Sequence, residues 1–289
     1  MLTDFEKFKN REIKAKDIFD IRIISKDVAY DFVRRYHYLG DAKFFSVQSF
    51  GLFYTKSNTL VGVATYSLPQ GTEATSGWFS LDSHTRNIYE LSRLCMLPQL
   101  NGTNATSFLL GGSIKMLKAQ NNKEKEQCKR MNIPFTEDKW ICRAIITLAL
   151  GERHVGSIYQ VCNFKYYGMT DLKGDFYRDD GAKNPRGKVS QWHGVWLPRP
   201  RKHRYAYILD ESLKCNYPES DRPNSTDIMD ITPCCHGIHE VFDNRYREWY
   251  TCPICTGKIR RIYKDDNGNT IKIDTCNEED KSKKVVDLW

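Results

Sequence analysis

The sequence predicts an α+β fold with a small cysteine-rich module near the C-terminus, and three observations lead to this prediction. Residues Ile88–Leu117 change from the continuous apolar pattern of a buried strand to the spacing of an amphipathic helix, across a polar loop. Val47–Tyr54 and Thr59–Leu68 have the composition of an antiparallel hairpin that turns at Lys56–Asn58. Cysteine and histidine residues cluster between positions 234 and 255. Strands joined by short turns, together with a strand–loop–helix junction, are typical of a mixed α+β domain.

Length and charge set the expected organisation. A chain of 289 residues has room for one core of catalytic size and one small module. Its net charge of +8 favours an anionic partner. The expected segments are a charged N-terminal arm (1–20), a catalytic domain (21–214), a linker (215–232), a metal-binding module (233–275) and a charged tail (276–289).

Two further features concern the compartment. No apolar run reaches the roughly 18 residues that a membrane span requires, and the N-terminal residues lack the apolar stretch of a signal peptide. We therefore expect a soluble, cytoplasmic protein that has no membrane partner. In a reducing compartment, the ten cysteines are expected to be free thiols and metal ligands rather than a disulfide framework.

The first predicted elements are a strand at Ile21–Ile24 and a helix that begins after Ser25, which is a favourable N-cap residue. This helix carries apolar residues at helical spacing: Val28, Phe32, Val33 and Tyr36. The helix is predicted to end at His37–Gly40, because glycine suits a left-handed cap. A histidine between two tyrosines at a helix end is either a structural residue or a catalytic one.

The middle of the chain contains two predicted irregular segments. Pro69–Thr85 is rich in Gly, Ser and Thr and is expected to be a mobile loop, in which Trp78 and Phe79 either cover the site or only anchor the loop. Asn121–Lys139 is charged and is interpreted as an insertion before a strand or helix end at Trp140–Leu150.

The strand–loop–helix stretch is the strongest functional signal. Its strand, Ile88–Leu97, carries Glu90, Ser92 and Arg93 on an otherwise apolar element. The loop at 101–104 then leads into a helix, whose first backbone N–H groups point beyond the strand end and suit an anion or a carbonyl oxygen. A second stretch, 154–168, predicts a short helix after Gly156 and a returning strand.

The stretch from Lys165 to Arg204 has ten Lys or Arg residues against four Asp, and aromatic residues lie among them. Strands are predicted at Val189–Leu197 and Tyr205–Leu209, closing the sheet around a stiff, proline-containing hairpin tip. The tip carries candidate contacts to nucleic-acid phosphates: Arg199, Arg201, Lys202 and Arg204. The alternative is a solvated basic loop above packed aromatic residues.

The C-terminal cluster resembles the two halves of a zinc ribbon. Cys252 and Cys255 form a Cys-Pro-x-Cys turn, in which two thiolates can share one tetrahedral metal. The first half offers Cys234, Cys235, His236 and His239 for two places. We favour Cys235 and His239 as ligands of a structural zinc, with the other two as substitutes and unpaired buried cysteines as the alternative.

Taken together, these stretches resemble the core of the GNAT acyltransferases. The loop Gln99–Asn104 matches their Q/R-x-x-G-x-G/A pattern except at Asn104, where the family has a small residue. Within that superfamily the chain resembles the phage Mom DNA-modification proteins over 21–209. One departure is the lack of an aspartate just after the strand that precedes the Gly156–Tyr159 helix; either Glu152 substitutes for it or its role is missing. The resembling segments are Tyr36–Gly40, Glu90–Leu94 with Asn104 and Ser107, Gly156–Tyr159 with Asn163, Phe164 and Gly168, and Arg201–Tyr205.

The resemblance implies a mixed central sheet flanked by helices and an enzyme that derivatises DNA. Its reaction would transfer an acyl-type, carbamoylmethyl-like group to the exocyclic amino group of adenine in phage DNA, in the host cytoplasm, and so protect the DNA from restriction. The implied partners are double-stranded DNA and an acyl donor. The sequence does not identify this donor, and acetyl-CoA or a related compound is a candidate.

The resemblance also implies roles for individual residues. His37 would be the general base, Ser107 with neighbouring backbone N–H groups would stabilise an oxyanion, and Tyr159 would protonate or orient the leaving group. Glu90 and Arg93 either orient these groups or form a buried pair. Other implied roles are donor binding by Gln99, Gly102 and Asn104, and stacking on a flipped base by Tyr38 or Trp78.

Two alternatives stay open at the level of sequence. One is an acetyl-CoA-dependent N-acetyltransferase that acts on a protein or a small amine. The other is a non-catalytic nucleic-acid-binding protein. A catalytic iron near His37 is compatible with the residues but has no support from the sequence alone, and the target sequence and the oligomeric state are not determined by it.

Overall fold

The central feature of the structure, a computed structural model, is a seven-stranded sheet. The residues that it describes are 4–37, 44–69, 72–81, 85–150, 155–170, 173–178, 194–199, 201–223, 261–264 and 270–274. The chain divides into two compact units: Met1–Leu148 with Gly156–Gly168 and Arg204–Arg222, and Ala149–Val155 with Met169–His203 and Pro223–Trp289. The segment boundaries expected from the sequence stay predictions, although residues of the expected N-terminal arm lie within the first unit.

The helices are α1 (Asp4–Lys9), α2 (Ala15–Ile18), α3 (Lys26–Tyr36), α4 (Thr72–Phe79), α5 (Ala105–Arg130) and α6 (Ser157–Val161). Short 3₁₀ turns lie at Pro98–Leu100 and Glu137–Lys139. The strands are β1 (Phe19–Ile24), β2 (Gln48–Tyr54), β3 (Thr59–Ser67), β4 (Ile88–Met96), β5 (Ala144–Leu150), β6 (Lys165–Met169), β7 (Lys173–Arg178), β8 (Gly194–Arg199), β9 (Lys202–Ile208), β10 (Arg261–Lys264) and β11 (Thr270–Asp274).

The sheet has the order β1-β2-β3-β4-β5-β9-β6. The pairs β1–β2, β2–β3 and β3–β4 are antiparallel, and the pair β4–β5 is parallel. The predicted mixed sheet with helices in an α+β arrangement is therefore confirmed. The predicted hairpin is also confirmed, since β2 pairs with β3 across the turn that contains Asn58, which adopts a left-handed φ of 54°.

Local chemistry explains where the first helix starts and stops. The Ser25 hydroxyl oxygen accepts a hydrogen bond from the Val28 N–H at 3.3 Å, which satisfies one donor of the first turn of α3. At the other end His37 is extended, with φ −91° and ψ 140°, and its N–H still bonds the Val33 carbonyl at 2.8 Å. Both predicted ends of this helix are thus confirmed to within a residue or two.

Helices cover the first unit's sheet through two apolar clusters. The cluster below α3 contains Phe32, Val33, Phe44, Val63 and Cys95. The second cluster contains Trp78, Phe79, Ile88, Ala144, Ile146, Tyr167, Ala206 and Leu213. Removing this apolar surface from water is the main driving force that fixes the sheet, at about 25 cal/mol per Å².

Two predictions for the middle of the chain are wrong. The Pro69–Thr85 segment contains a helix, α4, and Trp78 is only 6% exposed because it packs edge-on against Tyr167 and Tyr217. Trp78 therefore anchors the segment, and its predicted alternative role of stacking on a base is overturned. The charged stretch after Asn121 is not an insertion, because α5 runs without interruption to Arg130.

Asn121 explains why a polar residue is tolerated on the buried side of α5. It is 3% exposed, and its side chain donates to the Cys142 carbonyl at 2.7 Å. The same side chain accepts from the backbone N–H groups of Ile141 and Cys142 at 3.0 and 3.1 Å. The Asn121 amide therefore makes the hydrogen bonds that a neighbouring strand would make to this backbone, and it fixes the chain just before β5.

The prediction that the two strands around the basic segment near residue 200 form one hairpin is wrong. Strand β8 pairs with β7 in a separate two-stranded sheet, whereas β9 lies between β5 and β6 in the seven-stranded sheet. A further antiparallel pair, β10 and β11, belongs to the second unit.

The predicted zinc ligands Cys235, His239, Cys252 and Cys255, and their substitutes Cys234 and His236, lie outside the described residues. Within the described ranges no group of three or more His, Cys, Asp or Glu side chains suits a metal ion. None of the helices in the described part of the chain combines the length and the apolar character that a bilayer span requires.

Candidate functional site

The two parallel strands of the sheet stay paired only near their beginnings. The recorded register joins Ile88–Glu90 of β4 to Ala144–Ile146 of β5, although β4 continues to Met96 and β5 to Leu150. One step further along, the Thr147 hydroxyl lies 3.5 Å from the Leu91 carbonyl oxygen. Ligands of open α/β sheets bind beyond the carboxyl ends of parallel strands, so the later half of β4 is well placed to serve a site.

An irregularity in β4 lies at the same place. The register with β3 shifts between Thr65 and Tyr66, which face Arg93 and Leu91, and this leaves Ser92 as the extra residue. The Ser92 hydroxyl donates to the Thr65 carbonyl at 3.0 Å and lies 3.0 Å from the Thr65 hydroxyl. Such bulges re-aim the side chains that follow them. Here the residue that follows is Arg93.

Arg93 is held from one side and has a buried donor without a partner among the described residues. Its guanidinium carbon lies 5.3 Å above the Phe44 ring, and its Nη1 donates to the Ser92 carbonyl at 2.7 Å. Its Nε is buried and has no hydrogen-bond partner among the described residues. Because a buried guanidinium N–H normally has an acceptor, this atom is available to a substrate group.

His37 is a titratable residue on which the positive charge of Arg93 acts. Its side chain is half-buried at the end of α3. Burial, and secondly the positive charge of Arg93, lower the pKa of His37 to about 4. The imidazole is therefore neutral at pH 7 and offers a nitrogen lone pair. Glu90 is half-buried on the same strand as Arg93, between Ser67 of β3 and Ile146 of β5.

The loop before α5 adopts a turn that accommodates the unusual asparagine. Gly102 has a left-handed φ of 76°, whereas Asn104 has φ −82° and ψ 9°. The left-handed position is thus Gly102, and Asn104 needs no special tolerance of that conformation. The Thr103 hydroxyl donates to the Leu100 carbonyl at 2.7 Å and accepts from the Ala105 N–H at 3.3 Å. Gln99 is exposed on the 3₁₀ turn that precedes the loop.

Ser107 and Tyr159 lie on helices that contact each other. The Ser107 hydroxyl donates to the Asn104 carbonyl at 2.9 Å, and the Ser107 carbonyl oxygen lies 3.7 Å from the Cys162 thiol at the end of α6. Tyr159, on α6, is 9% exposed, and its ring centroid lies 5.7 Å from that of Phe164 and 5.4 Å from that of Tyr205. The structure therefore links Ser107 with α6, while the catalytic roles of both residues stay predictions.

A cavity of about 350 Å³ adjoins the same loop. Its lining includes two predicted donor-binding residues, Gly102 and Asn104. The other lining residues were not suggested by the sequence: Phe8, Lys9, Arg11, Ile13, Lys14 and Thr103. The only signal for the cations was their concentration in the segment before the first strand. The distance in sequence between this segment and the loop hid their proximity.

Among the predicted phosphate contacts that the structure describes, the side chains of Arg201 and Arg204 have partners within the chain, and Lys202 is held through its backbone. Arg201 Nε donates to the Thr170 carbonyl at 2.7 Å, and the Lys202 N–H donates to the Thr170 hydroxyl at 2.9 Å. Arg204 is 9% exposed and lies 4.1 Å above the Tyr217 ring. Tyr38 and the side chain of Arg199 lie outside what the structure describes.

Residues 18–126 match the model of the Mom protein family. This range contains all the candidate catalytic and donor-binding residues except Tyr159. A search of curated protein sequences finds no match.

Among solved structures, the chain is similar to a ribosomal-protein alanine N-acetyltransferase from Escherichia coli, with 11% identity, coverage of 68% of this chain and 99% of that chain, and a TM-score of 0.38. It is also similar to a GNAT family acetyltransferase from Elizabethkingia anophelis with acetyl-CoA bound, with 14% identity, coverage of 67% and 99%, and a TM-score of 0.36. These likenesses are distant.

Proposed function

We propose that this protein is a DNA-modification transferase that attaches an acyl-type, carbamoylmethyl-like group to the exocyclic amino group of adenine in phage DNA. The observation that carries the proposal is the match of residues 18–126 to the Mom protein family, since this range includes His37, Glu90, Arg93 and Ser107. The neutral histidine beside a guanidinium with an unused donor supports it.

The amino group of adenine is a weak nucleophile, because its lone pair is delocalised into the ring. In the proposed step this nitrogen attacks the electrophilic carbon of the donor, a C–N bond forms, and the bond from carbon to the leaving group breaks with its electron pair. The nitrogen becomes acidic as it bonds to carbon, so a base whose pKa is about 4 can accept its proton. His37 is that base, and it returns the proton to solvent.

When the attacked carbon is the carbonyl carbon of an acyl donor, its C=O π electrons move to oxygen. Until the leaving group departs and the C=O bond re-forms, this oxygen carries negative charge. The first backbone N–H groups of α5 and the Ser107 hydroxyl stabilise it; the hydroxyl has to turn away from the Asn104 carbonyl, to which it now donates at 2.9 Å. Tyr159 donates a proton to the departing atom and is later reprotonated from solvent. Arg93 Nε binds an acceptor atom of the donor or the base and so orients it.

Binding of DNA requires cationic contacts and a place for a flipped base. Arg201 and Lys202 are half-buried cations that remain candidates for phosphate contacts, together with Arg199. Arg204 is a weaker candidate because its guanidinium stacks on Tyr217. Tyr36, which is 44% exposed beside His37, replaces Trp78 as a candidate stacking partner, and Tyr38 retains the role that the sequence suggested.

The test is mass analysis of nucleosides from the DNA of cells that express the protein. The expected result is a deoxyadenosine derivative with added mass, absent from cells without the protein. Unaltered DNA would contradict the proposal. If acetyl-CoA is then hydrolysed or consumed with peptide or small amines, the N-acetyltransferase alternative gains support, and duplex binding without any turnover would favour the non-catalytic alternative.

We also propose that Cys235, His239, Cys252 and Cys255 bind one structural zinc. A full set of protein ligands would leave no open position for catalysis. Metal analysis of the purified protein should find one zinc per chain, and the double variant Cys252→Ser, Cys255→Ser should lose it. Zinc retained in that variant would contradict the assignment.

A further inference from the structure

The later part of α5 carries lysines on its outer face that the proposed reaction does not use. Successive residues of an α-helix are rotated by about 100°, so residues three, four or seven positions apart share a face. Lys115, Lys118, Lys125 and Lys129 follow one another at such spacings, and all four are exposed. We call them the lysine row, and they extend over roughly 20 Å of the helix.

The positive charge of the lysine row is not balanced by its surroundings. Within the described part of the chain, no ion pair involves any of its four members. Helix α5 as a whole contains six Lys or Arg residues and two Glu. Glu126 is exposed on the same face, whereas Glu124 points to the opposite side of the helix. The outer face of α5 therefore has an excess of positive charge that attracts anions.

Aromatic rings hold two members of the row in place. The Lys118 ammonium lies 5.1 Å from the centroid of the Tyr207 ring. The Lys125 ammonium lies 4.0 Å from the ring centroid of Trp140 and 5.3 Å from that of Phe135. Cation–π contacts of this kind restrict a long, flexible side chain. A ligand that binds these lysines therefore has less side-chain freedom to remove, which favours binding.

The row points along the helix towards the candidate site. Two steps of four residues lead from Lys115 back through Gly111 to Ser107, on the same side of α5. A Cβ at Gly111 would meet no atom beyond the helix's own backbone within 4 Å, so this part of the face is open. A small anion would contact one or two of the lysines, whereas a long polyanion along α5 contacts all four and reaches Ser107.

We propose that the lysine row binds the phosphate backbone of duplex DNA and guides the duplex towards Ser107. This inference rests on the proposed function for the choice of DNA over other polyanions. Phosphates recur at every base pair, so lysines on one helix face position a duplex without reading its sequence. The row thus supplies an extended phosphate-binding surface in a segment whose sequence suggested only an insertion.

The test is fluorescence anisotropy of a labelled DNA duplex with the full chain at several salt concentrations. The triple variant Lys118→Gln, Lys125→Gln, Lys129→Gln should bind the duplex more weakly than the wild type. The slope of log affinity against log salt should become shallower by about 3, because each phosphate contact contributes roughly 0.9.

Two further variants control for net charge and for folding. The triple variant Lys16→Gln, Lys26→Gln, Lys214→Gln removes the same charge from exposed residues outside the row and should keep the wild-type slope. Replacing the three row lysines by arginine retains the charge and should also keep the slope. Circular dichroism melting checks that every variant is folded.

The outcomes separate this inference from the proposed function. If both glutamine variants change the slope equally, or if neither does, the lysine row is not the duplex-binding surface. If polyglutamate of equal charge displaces the duplex as well as unlabelled DNA does, the row does not select a nucleic-acid backbone and the inference is wrong. Duplex binding that depends on the row, in a protein that leaves DNA unmodified, would support the surface and refute only the function.

Discussion

Two groups of cationic and titratable residues in the first unit differ in how far they are buried. Burial changes the pKa of a side chain, so the two groups suit different tasks. At the end of α3, His37 and Arg93 are half-buried, and burial with a neighbouring charge holds the histidine neutral. Beside the loop before α5, Lys9, Arg11 and Lys14 are exposed. Burial changes a proton affinity, whereas exposure preserves a charge that attracts anions but is screened by salt.

The largest expected effect comes from removing the base. His37→Ala should lower the rate of DNA modification by roughly 10²- to 10⁴-fold, which is the usual contribution of general base catalysis. The measurement is nucleoside mass analysis over time with purified protein and DNA. The matched control is Arg34→Gln, an exposed residue in the last turn of α3, which should modify DNA at the wild-type rate. Similar rates for both variants would remove His37 from the mechanism.

A second prediction tests burial alone, on a residue without a catalytic role. Asn121→Ala should lower the free energy of unfolding by about 3 kcal/mol, because it leaves the Cys142 carbonyl and two backbone N–H groups without partners. The adjacent exposed residue gives the control: Asn122→Ala should change it by less than about 0.5 kcal/mol. Urea denaturation measures both, and equal effects would contradict the role assigned to the Asn121 amide.

A third prediction concerns the two causes of the histidine shift. Arg93→Gln should raise the pKa of His37 from about 4, but the value should stay below its ordinary 6.5 because burial is the larger cause. NMR titration of the imidazole C–H signals measures this, with Arg34→Gln as the variant that should leave the titration unchanged.

The same shift fixes a sign for stability. Because the unfolded chain binds a proton at His37 near pH 6.5 and the folded chain only near 4, folding stability should fall as the pH is lowered through this window. His37→Gln should reduce that slope. A slope that is unchanged in the variant would indicate that other groups produce it.

Much of the fold could be predicted because local sequence chemistry determines it. The Ser25 cap, the β2–β3 hairpin and the strand that precedes the Gln99–Asn104 loop each depend on residues close in sequence, and the structure contains all of them. The short helix predicted after Gly156 is also present as α6, and Gly156 itself has a left-handed φ of 75°.

The failures have long-range causes. Asn121 is polar, so the stretch after it resembled an insertion, yet its partners Ile141 and Cys142 lie in the segment that leads into β5, 20 and 21 residues further along the chain. Arg204 belonged to a basic stretch in the sequence, and the structure buries it against Tyr217. The charge of a residue does not indicate whether its side chain will find an aromatic ring to cover it.

The packing of Phe8 against Phe19 has a practical consequence for work with this protein. A shortened chain that starts at the first strand would keep every strand of the seven-stranded sheet and all the residues with a proposed catalytic role. It would nevertheless lose Phe8 and the three cations that line the cavity, and it would expose the hydrophobic ring of Phe19. A truncated version that proved inactive or insoluble would therefore be uninformative about the chemistry of the centre.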